Sequence, residues 1–389
     1  MEAHPADGIS AIATWCNAPR DLLQGKFGEF MKTRCPSGLK SALAAALLFV
    51  VADMAVAASY DFSFLPLPEG ALRANVTAIN NSGQIISRVK LTDFNEHTFL
   101  TSNGTVTDLG YTVLGQDINN LGQILDGANG GRILTDTGVV TLQAPADHSM
   151  ANVAGLNDHG QVAGSIYAGY SSGSTPVMWS TAGMTSLLTA NMVSGSAQAI
   201  NNLGQVALNY STLDDATSHA GIWSNNTLIE LGTNADVLAL NDKGQAVGLM
   251  GIHAALWNGT TYTDLGTLGG DFSAAIGINN RGQIIGNSTT MPNNWIDHAV
   301  LWDESGNMID LDQFIPSELL AQGLIPRLRA INDDGVIIGD ITNQEWSNPM
   351  PFMLTPTAAP VPEPTMTSLW ILGLACGLGL AYRKQTAKA

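Results

Sequence analysis

The chain has 389 residues, 45% of them hydrophobic, and a formal net charge of −17. Between residues 59 and 358 there are 27 Asp and Glu against 8 Lys and Arg, a balance that excludes a nucleic-acid partner and docking on anionic lipid, both of which need a basic surface. All three cysteines, Cys16, Cys35 and Cys376, lie outside that stretch, so its roughly 300 residues must be held by a packed core and not by disulfides.

In chain order, residues 1–30 read as an upstream extension that is unlike a targeting sequence. Met31-Lys32-Thr33-Arg34 then opens a basic region that Lys40 extends, Ser41 to Val51 is apolar, and Ala55-Val56-Ala57 is an Ala-x-Ala site. That order is a secretory signal peptide over 31–57, cut beside Ala55, Ala57 and Ala58, with the mature chain starting at Ala58 or Ser59.

From 58 to 357 one phrase returns seven times: apolar residues, Asn, Asn or Asp, any residue, Gly, and in all but the last copy Gln. The copies begin at Asn80, Asn119, Asn157, Asn201, Asn241, Asn279 and Asn332, and their glycines are spaced 39, 38, 44, 40, 38 and 53 residues apart. A period near 40 is the mark of a repeat architecture. Asn and Asp tolerate turn and left-handed backbone angles, and Gly adopts positive φ without a Cβ clash. With short β-branched runs on both sides, each phrase predicts a hairpin. A second pair of strands follows it, as in His253-Ala254-Ala255-Leu256-Trp257, a turn at Asn258-Gly259, and Tyr262-Thr263-Asp264-Leu265-Gly266.

Four short strands per unit, seven times over, predict an all-β, seven-bladed β-propeller; an open β-solenoid is the runner-up. Both faces of His298–Trp302 are apolar, as a sheet packed between two others requires. Tyr60 to Leu67 looks like the last strand of a unit, and the final unit stops after its third strand, Pro351–Leu354. The N-terminal strand is therefore expected to complete the last blade and remove two sheet edges.

His97-Thr98-Phe99-Leu100, the His-Ala strands opening at His219, His253 and His298, and the run Asp264-Leu265-Gly266-Thr267-Leu268-Gly269-Gly270 resemble the extracellular HAF repeat family over about residues 60–355. The chain departs from that pattern at Arg132 and Pro176, where His-Ala is expected. The resemblance implies an exported repeat domain and no catalytic residues.

After a linker over 358–365 that contains Pro362-Glu363-Pro364, an apolar run spans 366–382, and Arg383-Lys384 opens a basic tail to 389. Seventeen residues reach the lower length for a membrane helix, and the basic cluster would stay cytoplasmic. This order resembles the PEP-CTERM sorting signal of Gram-negative bacteria. It implies recognition by an exosortase, transient anchoring in the inner membrane, and delivery to the cell surface or exopolysaccharide matrix.

No zinc spacing, P-loop or HExxH is present. Gly169-Tyr170-Ser171-Ser172-Gly173 matches a nucleophile elbow by letter but sits in a Gly/Ser/Tyr loop of a β repeat, not at a strand-to-helix turn. The in-register His97, His219, His253 and His298 read as structural hydrogen bonds at strand starts, and Trp179, Trp223, Trp257 and Trp302 as blade-packing core. Asp158, Asp242, Asp333 and Asp334 have the oxygen chemistry of Ca²⁺, but no Asp-x-Asp-x-Asp-Gly loop exists and turn chemistry is the stronger reading; no cofactor is expected. Two loops break the period, Tyr167–Pro176 and Leu311–Arg329, the latter with a predicted short helix capped by Ser317. Tyr167, Tyr170, Pro316 and Glu318 are the candidate binding residues.

The functional expectation is an exported surface or matrix protein that binds extracellular polymer, polysaccharide above all, without catalysis. The alternative is an exported glycan lyase or hydrolase that works on a propeller face.

Overall fold

A computed structural model describes residues 59–357 except 168–172, 215–216, 294–296 and 344–347. The expected signal peptide at 31–57, its cleavage residues Ala55, Ala57 and Ala58, and the C-terminal residues Pro362, Glu363, Pro364, Arg383 and Lys384 fall outside the described residues, as does Tyr170. Among the described residues no helix is long and apolar enough to cross a membrane.

The strands form seven antiparallel four-stranded sheets. Blade 1 runs Ala71–Ile79, Ile85–Leu91, Glu96–Ser102 and Thr105–Gly110, and the order inside it is sequential from the axis outward. Blades 2 to 6 repeat this plan through Asp310. Blade 7 is the exception: Ile325–Ile331, Ile337–Thr342 and Met350–Thr357 are joined by Ser59–Phe64 from the N-terminus. The register runs from Ser59 opposite Thr357 to Phe64 opposite Phe352, and the Leu65 N–H adds a bond to the Pro351 carbonyl at 3.0 Å. Phe62 stacks on Phe352 with ring centroids 5.5 Å apart. Each inner strand touches the inner strands on either side, and blade 1 touches blade 7, so the circle is closed.

Packing follows the sandwich logic only partly. The second and third strands of a blade are buried on both faces, as in Ile337–Thr342, where every residue is buried. The outermost strands Gly138–Thr141 and Thr261–Asp264 are exposed at every position. The rule of two apolar faces therefore stops one strand short of the rim, because the rim has solvent on one edge and widely separated neighbours. Trp179, Trp257 and Trp302 are buried, and Trp223 packs half-buried against a core cluster. Their role is more than bulk. The indole N–H of Trp179 donates to Gln143 O, that of Trp257 to Leu231 O and that of Trp302 to Leu265 O, each at the outer edge of the preceding blade.

Every inner strand also carries a bulge shortly before its Asn, at Val76/Ala78 in blade 1 and Leu328/Ala330 in blade 7, for example. A bulge leaves ladder groups unpaired. Polar side chains of the preceding blade take up the inner strand's N–H groups here: Asp340 Oδ1 accepts from Val76, Asn209 Oδ1 from Val237, and Asp117 Oδ2 from Leu156. Burial pushes the Asp117 and Asp340 carboxyls above their ordinary range.

Candidate functional site

All seven Asn–Gly turns lie at one end of the barrel of blades, around the axis. Within each turn the leading Asn is a local organiser. Asn80 Oδ1 accepts from the N–H of Ser82 and of Gln84, and its Nδ2 donates to Gln84 Oε1 at 2.8 Å. The Gly closes the turn at positive φ, +73° at Gly83 and +75° at Gly244. It is constrained from outside as well. A Cβ on Gly244 would stand 3.1 Å from Gln205 Oε1, and one on Gly335 would stand 3.1 Å from Gln283 Oε1, so the Gln of one blade packs on the Gly of the next.

What the turns do together is not local. Asn80, Asn119, Asn157, Asn201, Asn241, Asn279 and Asn332 are all buried, and each Nδ2 donates to the main-chain carbonyl of the next Asn in the circle at 2.9–3.1 Å. The last bond, Asn332 to Asn80, joins residues 252 apart and closes the ring. A second ring lies beside it. The N–H of Asn81, Asn120, Asp158, Asn202, Asp242, Asn280 and Asp333 each donates to Oδ1 of the next, at 2.7–2.9 Å.

The three carboxylates of that second ring alternate with amides. Asp158 Oδ2 accepts from Asn120 and Asn202, Asp242 Oδ2 from Asn202 and Asn280, and Asp333 Oδ2 from Asn280 and Asn81. These side chains line an axial recess of about 220 Å³, open to solvent. Leu121 and Leu203, each 64% exposed, follow Asn120 and Asn202 in their turns. The fourth acidic turn residue, Asp334, is outside the ring and lies 3.6 Å from Arg281.

Each ring carboxylate oxygen already accepts at least one N–H. The recess presents hydrogen-bond acceptors and amides in a fixed array.

The in-register histidines do not reach the axis. His97 Nδ1 lies 2.9 Å from Asp108 Oδ2, His253 Nδ1 2.9 Å from Asp264 Oδ2, and His298 Nδ1 2.9 Å from Asp310 Oδ2, with His219 Nδ1 3.2 Å from Glu230 Oε1. Each clips the start of the third strand to the outer strand of its own blade. Burial pulls the His97 imidazole down, but its hydrogen bonds to Asp108 and Asp93 leave it above its ordinary value. The His253 hydrogen bond holds Asp264 below the usual carboxylate range. Where His is replaced in blade 2, Arg132 takes another partner, with its Nε 2.9 Å from the buried Asp126 Oδ2.

The described parts of the two loops that break the period, Tyr167 and 173–176 of the first and Leu311–Arg329, belong to connections at the other end of the blades, as alternation of strand direction requires. Tyr167 ends the second strand of blade 3 and is half-buried. Pro316 and Glu318 lie between blades 6 and 7, Glu318 exposed. Tyr167 belongs to blade 3, and Pro316 and Glu318 to the connection between blades 6 and 7. The predicted helix exists as Ser317–Leu320, but Pro316 holds the cap position and no side chain caps it, because Ser317 is already the first helical residue. The capping carboxylate is one turn earlier: Asp310 accepts from the Asp312 N–H to start the 3₁₀ turn Leu311–Phe314.

No family model matches the chain, and no curated protein does. Among solved structures it is similar to the β-propeller domain of the Trilobed protease from Pyrococcus furiosus, at 9% identity and a TM-score of 0.49, over 76% of this chain and 98% of that one. It is similar to an oligogalacturonate lyase in complex with manganese at 11% identity and a TM-score of 0.49, over 77% and 97%. A puromycin-hydrolysing peptidase of Mycobacterium tuberculosis matches at 11% identity and a TM-score of 0.45 over 72% of this chain, which spans only 49% of that one. These likenesses say nothing of activity or ligand. The seven-bladed architecture rests on the chain's own strand pairing.

Proposed function

We propose that this is an exported surface or exopolysaccharide-matrix protein whose propeller binds extracellular polysaccharide without catalysis. The ring end carries the reading. It offers a polar recess of amides and carboxylates, with exposed Leu121 and Leu203 in the same turns, and its acidic groups are engaged as hydrogen-bond acceptors. Fixed amides and carboxylates exchange hydrogen bonds with sugar hydroxyls at little ordering cost. Hydrolysis would need a carboxylic acid to protonate the leaving oxygen and a carboxylate to act as base or nucleophile.

Export is the second half of the proposal. The signal peptide at 31–57, Pro362-Glu363-Pro364, the apolar run 366–382 and Arg383-Lys384 stand in the order that an exosortase substrate needs. The tail is the membrane contact, and exosortase and the secretion machinery are the partners.

A glycan array with the purified protein, with and without Ca²⁺, tests the binding half. Retention of one polysaccharide class without chain shortening supports it, and release of shortened or unsaturated products would replace it with the enzymatic reading. Replacement of Pro362-Glu363-Pro364 by alanines tests delivery. The variant is expected to stay unprocessed in the inner membrane, and normal surface delivery on fractionation would reduce the tail to a simple anchor.

A further inference from the structure

The geometry points to a divalent metal site of the zinc type, made by His298, Asp310 and Asp312 at the outer rim of blade 6. It goes beyond polymer binding and does not depend on it.

The comparison among blades isolates the feature. A His facing an acid on the neighbouring outer strand recurs in blades 1, 4, 5 and 6, so the pair by itself is structural. Among the described residues, blade 6 adds a second carboxylate at the same ring nitrogen. Asp312 Oδ2 lies 3.5 Å from His298 Nδ1, and Asp310 Oδ2 lies 2.9 Å from it. In blade 1 His97 also meets two carboxylates, but on opposite ring nitrogens, where no single ion could join them. Among the described residues, the blade 6 set is the one group of three His or acidic side chains whose ligand atoms all lie within 4.8 Å of one another.

The spacing suits a metal. Zinc bonds to N and O of about 2.0–2.2 Å at a tetrahedral angle put neighbouring ligand atoms about 3.4 Å apart. The two observed N···O separations bracket that value, so an ion replacing the shared proton would need only small side-chain shifts.

The other oxygen of each carboxylate is tied to the backbone. Asp310 Oδ1 accepts from the Asp312 N–H and Asp312 Oδ1 accepts from the Ala299 N–H, both at 3.0 Å. Those bonds aim both Oδ2 atoms at the imidazole, the orienting role that outer-shell bonds play around bound metals.

Charge agrees with geometry. Neutral imidazole and two carboxylates carry −2, which one divalent ion cancels. The Asp312 side chain is 12% exposed, so a carboxylate there is poorly hydrated and gains from a cation beside it. An imidazole ligand favours zinc-like ions over Ca²⁺ and Mg²⁺, which prefer all-oxygen sets. Asp310 and His298 remain about one-third exposed, so three protein ligands would leave a coordination position open to water or to an oxygen of a bound polymer.

Isothermal titration of the metal-stripped full chain with Zn²⁺ tests this. One equivalent should bind, with a matching rise in melting temperature, and excess Ca²⁺ should not displace it. Asp312→Asn preserves an acceptor for the Ala299 N–H and should weaken Zn²⁺ binding by more than about tenfold. His298→Ala should abolish it, and His253→Ala, which removes the same kind of pair without the third ligand, should leave it unchanged. No stoichiometric binding, or binding unchanged in Asp312→Asn, would overturn the site. So would equal loss in His253→Ala. Should His298→Ala fail to fold, the conservative Asp312→Asn still decides.

Discussion

The two ends of this propeller are made to different standards. At one end seven turns are alike in residue type, backbone angle and hydrogen bonding, and each is held by the turns before and after it. At the other end the connections range from the single residue Asn234, between Thr233 and Ala235, to the stretch from Leu311 to Leu324 with its 3₁₀ turn and helix. The difference is one of coupling. A ring turn that changed alone would break bonds in two neighbouring blades. A connection at the far end need only span its own gap, so length and composition can drift there.

The harshest way to break the ring end's dependence on closure is to open the circle. Deletion of residues 59–68 removes the outer strand of blade 7, with buried Tyr60 and Leu65. The melting temperature should fall on the order of 10 °C or more, since several kcal/mol of packing are lost and the edge of the Met350–Thr357 strand is bared. Unchanged melting would mean that the seven blades do not act as a closed unit.

A single packing contact comes next. Trp302→Ala should cost about 3–5 kcal/mol in denaturant unfolding, from the cavity and the lost bond to Leu265 O. Trp302→Phe should cost visibly less, because most of the apolar area stays; equal losses in the two would assign the effect to the hydrogen bond.

The ring itself can be tested without a volume change. Asn241→Asp removes both donors, those to Gln245 Oε1 and Asn279 O, and puts an acceptor against two acceptors. A loss of about 2–4 kcal/mol is expected, well above the surface average. A double-mutant cycle between Asn201→Ala and Asn241→Ala should show coupling above about 0.5 kcal/mol, because each turn rests on the next. Strict additivity would refute ring-wise coupling.

The smallest effect belongs to the rim. Asp264 is held below its usual range by His253, so its folded pKa lies under its unfolded one. Its contribution is present above the unfolded value, about 3.9, and fades as pH falls through the folded value. Asp264→Asn should therefore lower melting slightly at neutral pH and not at all in strong acid. With the side chain 52% exposed, the shift should be near the resolution of a melting scan. A large neutral-pH loss would show that the rim clip matters as much as the ring.

Much of the fold was legible in the residues. The Asn-x-x-Gly phrase predicts its own turn because Asn and Gly act on the nearest backbone, and the bonds from Asn80 to Ser82 and Gln84 lie within four residues. The pairing of Tyr60 with the 350s strand followed from counting strands. The site was less legible. Asn201 reads as a turn residue in any repeat, yet its second amide bond goes to Asn241, 40 residues on. Nothing local distinguishes an Asn that only turns the chain from one that also links two blades. The signal that could have found it is the buried polar requirement itself: an Asn invariant across seven turns has more donors than a turn can use. The acid that meets each His was likewise present as Asp108, Asp264 and Asp310, eleven or twelve residues downstream, but only strand register brings it across.

The amino-acid sequence by itself determined the number of blades, the turn chemistry, the strand content of each unit and the way the circle closes, because those follow from short-range backbone preferences repeated at a fixed period. Tertiary structure alone decided that the seven Asn side chains join into one ring, that the ring's carboxylates are saturated by amides, and that Asp312 reaches His298. Each of these depends on how one blade is placed against another or how a strand pairs across a hairpin. That placement is set by the summed packing of buried side chains, which no single stretch of residues encodes.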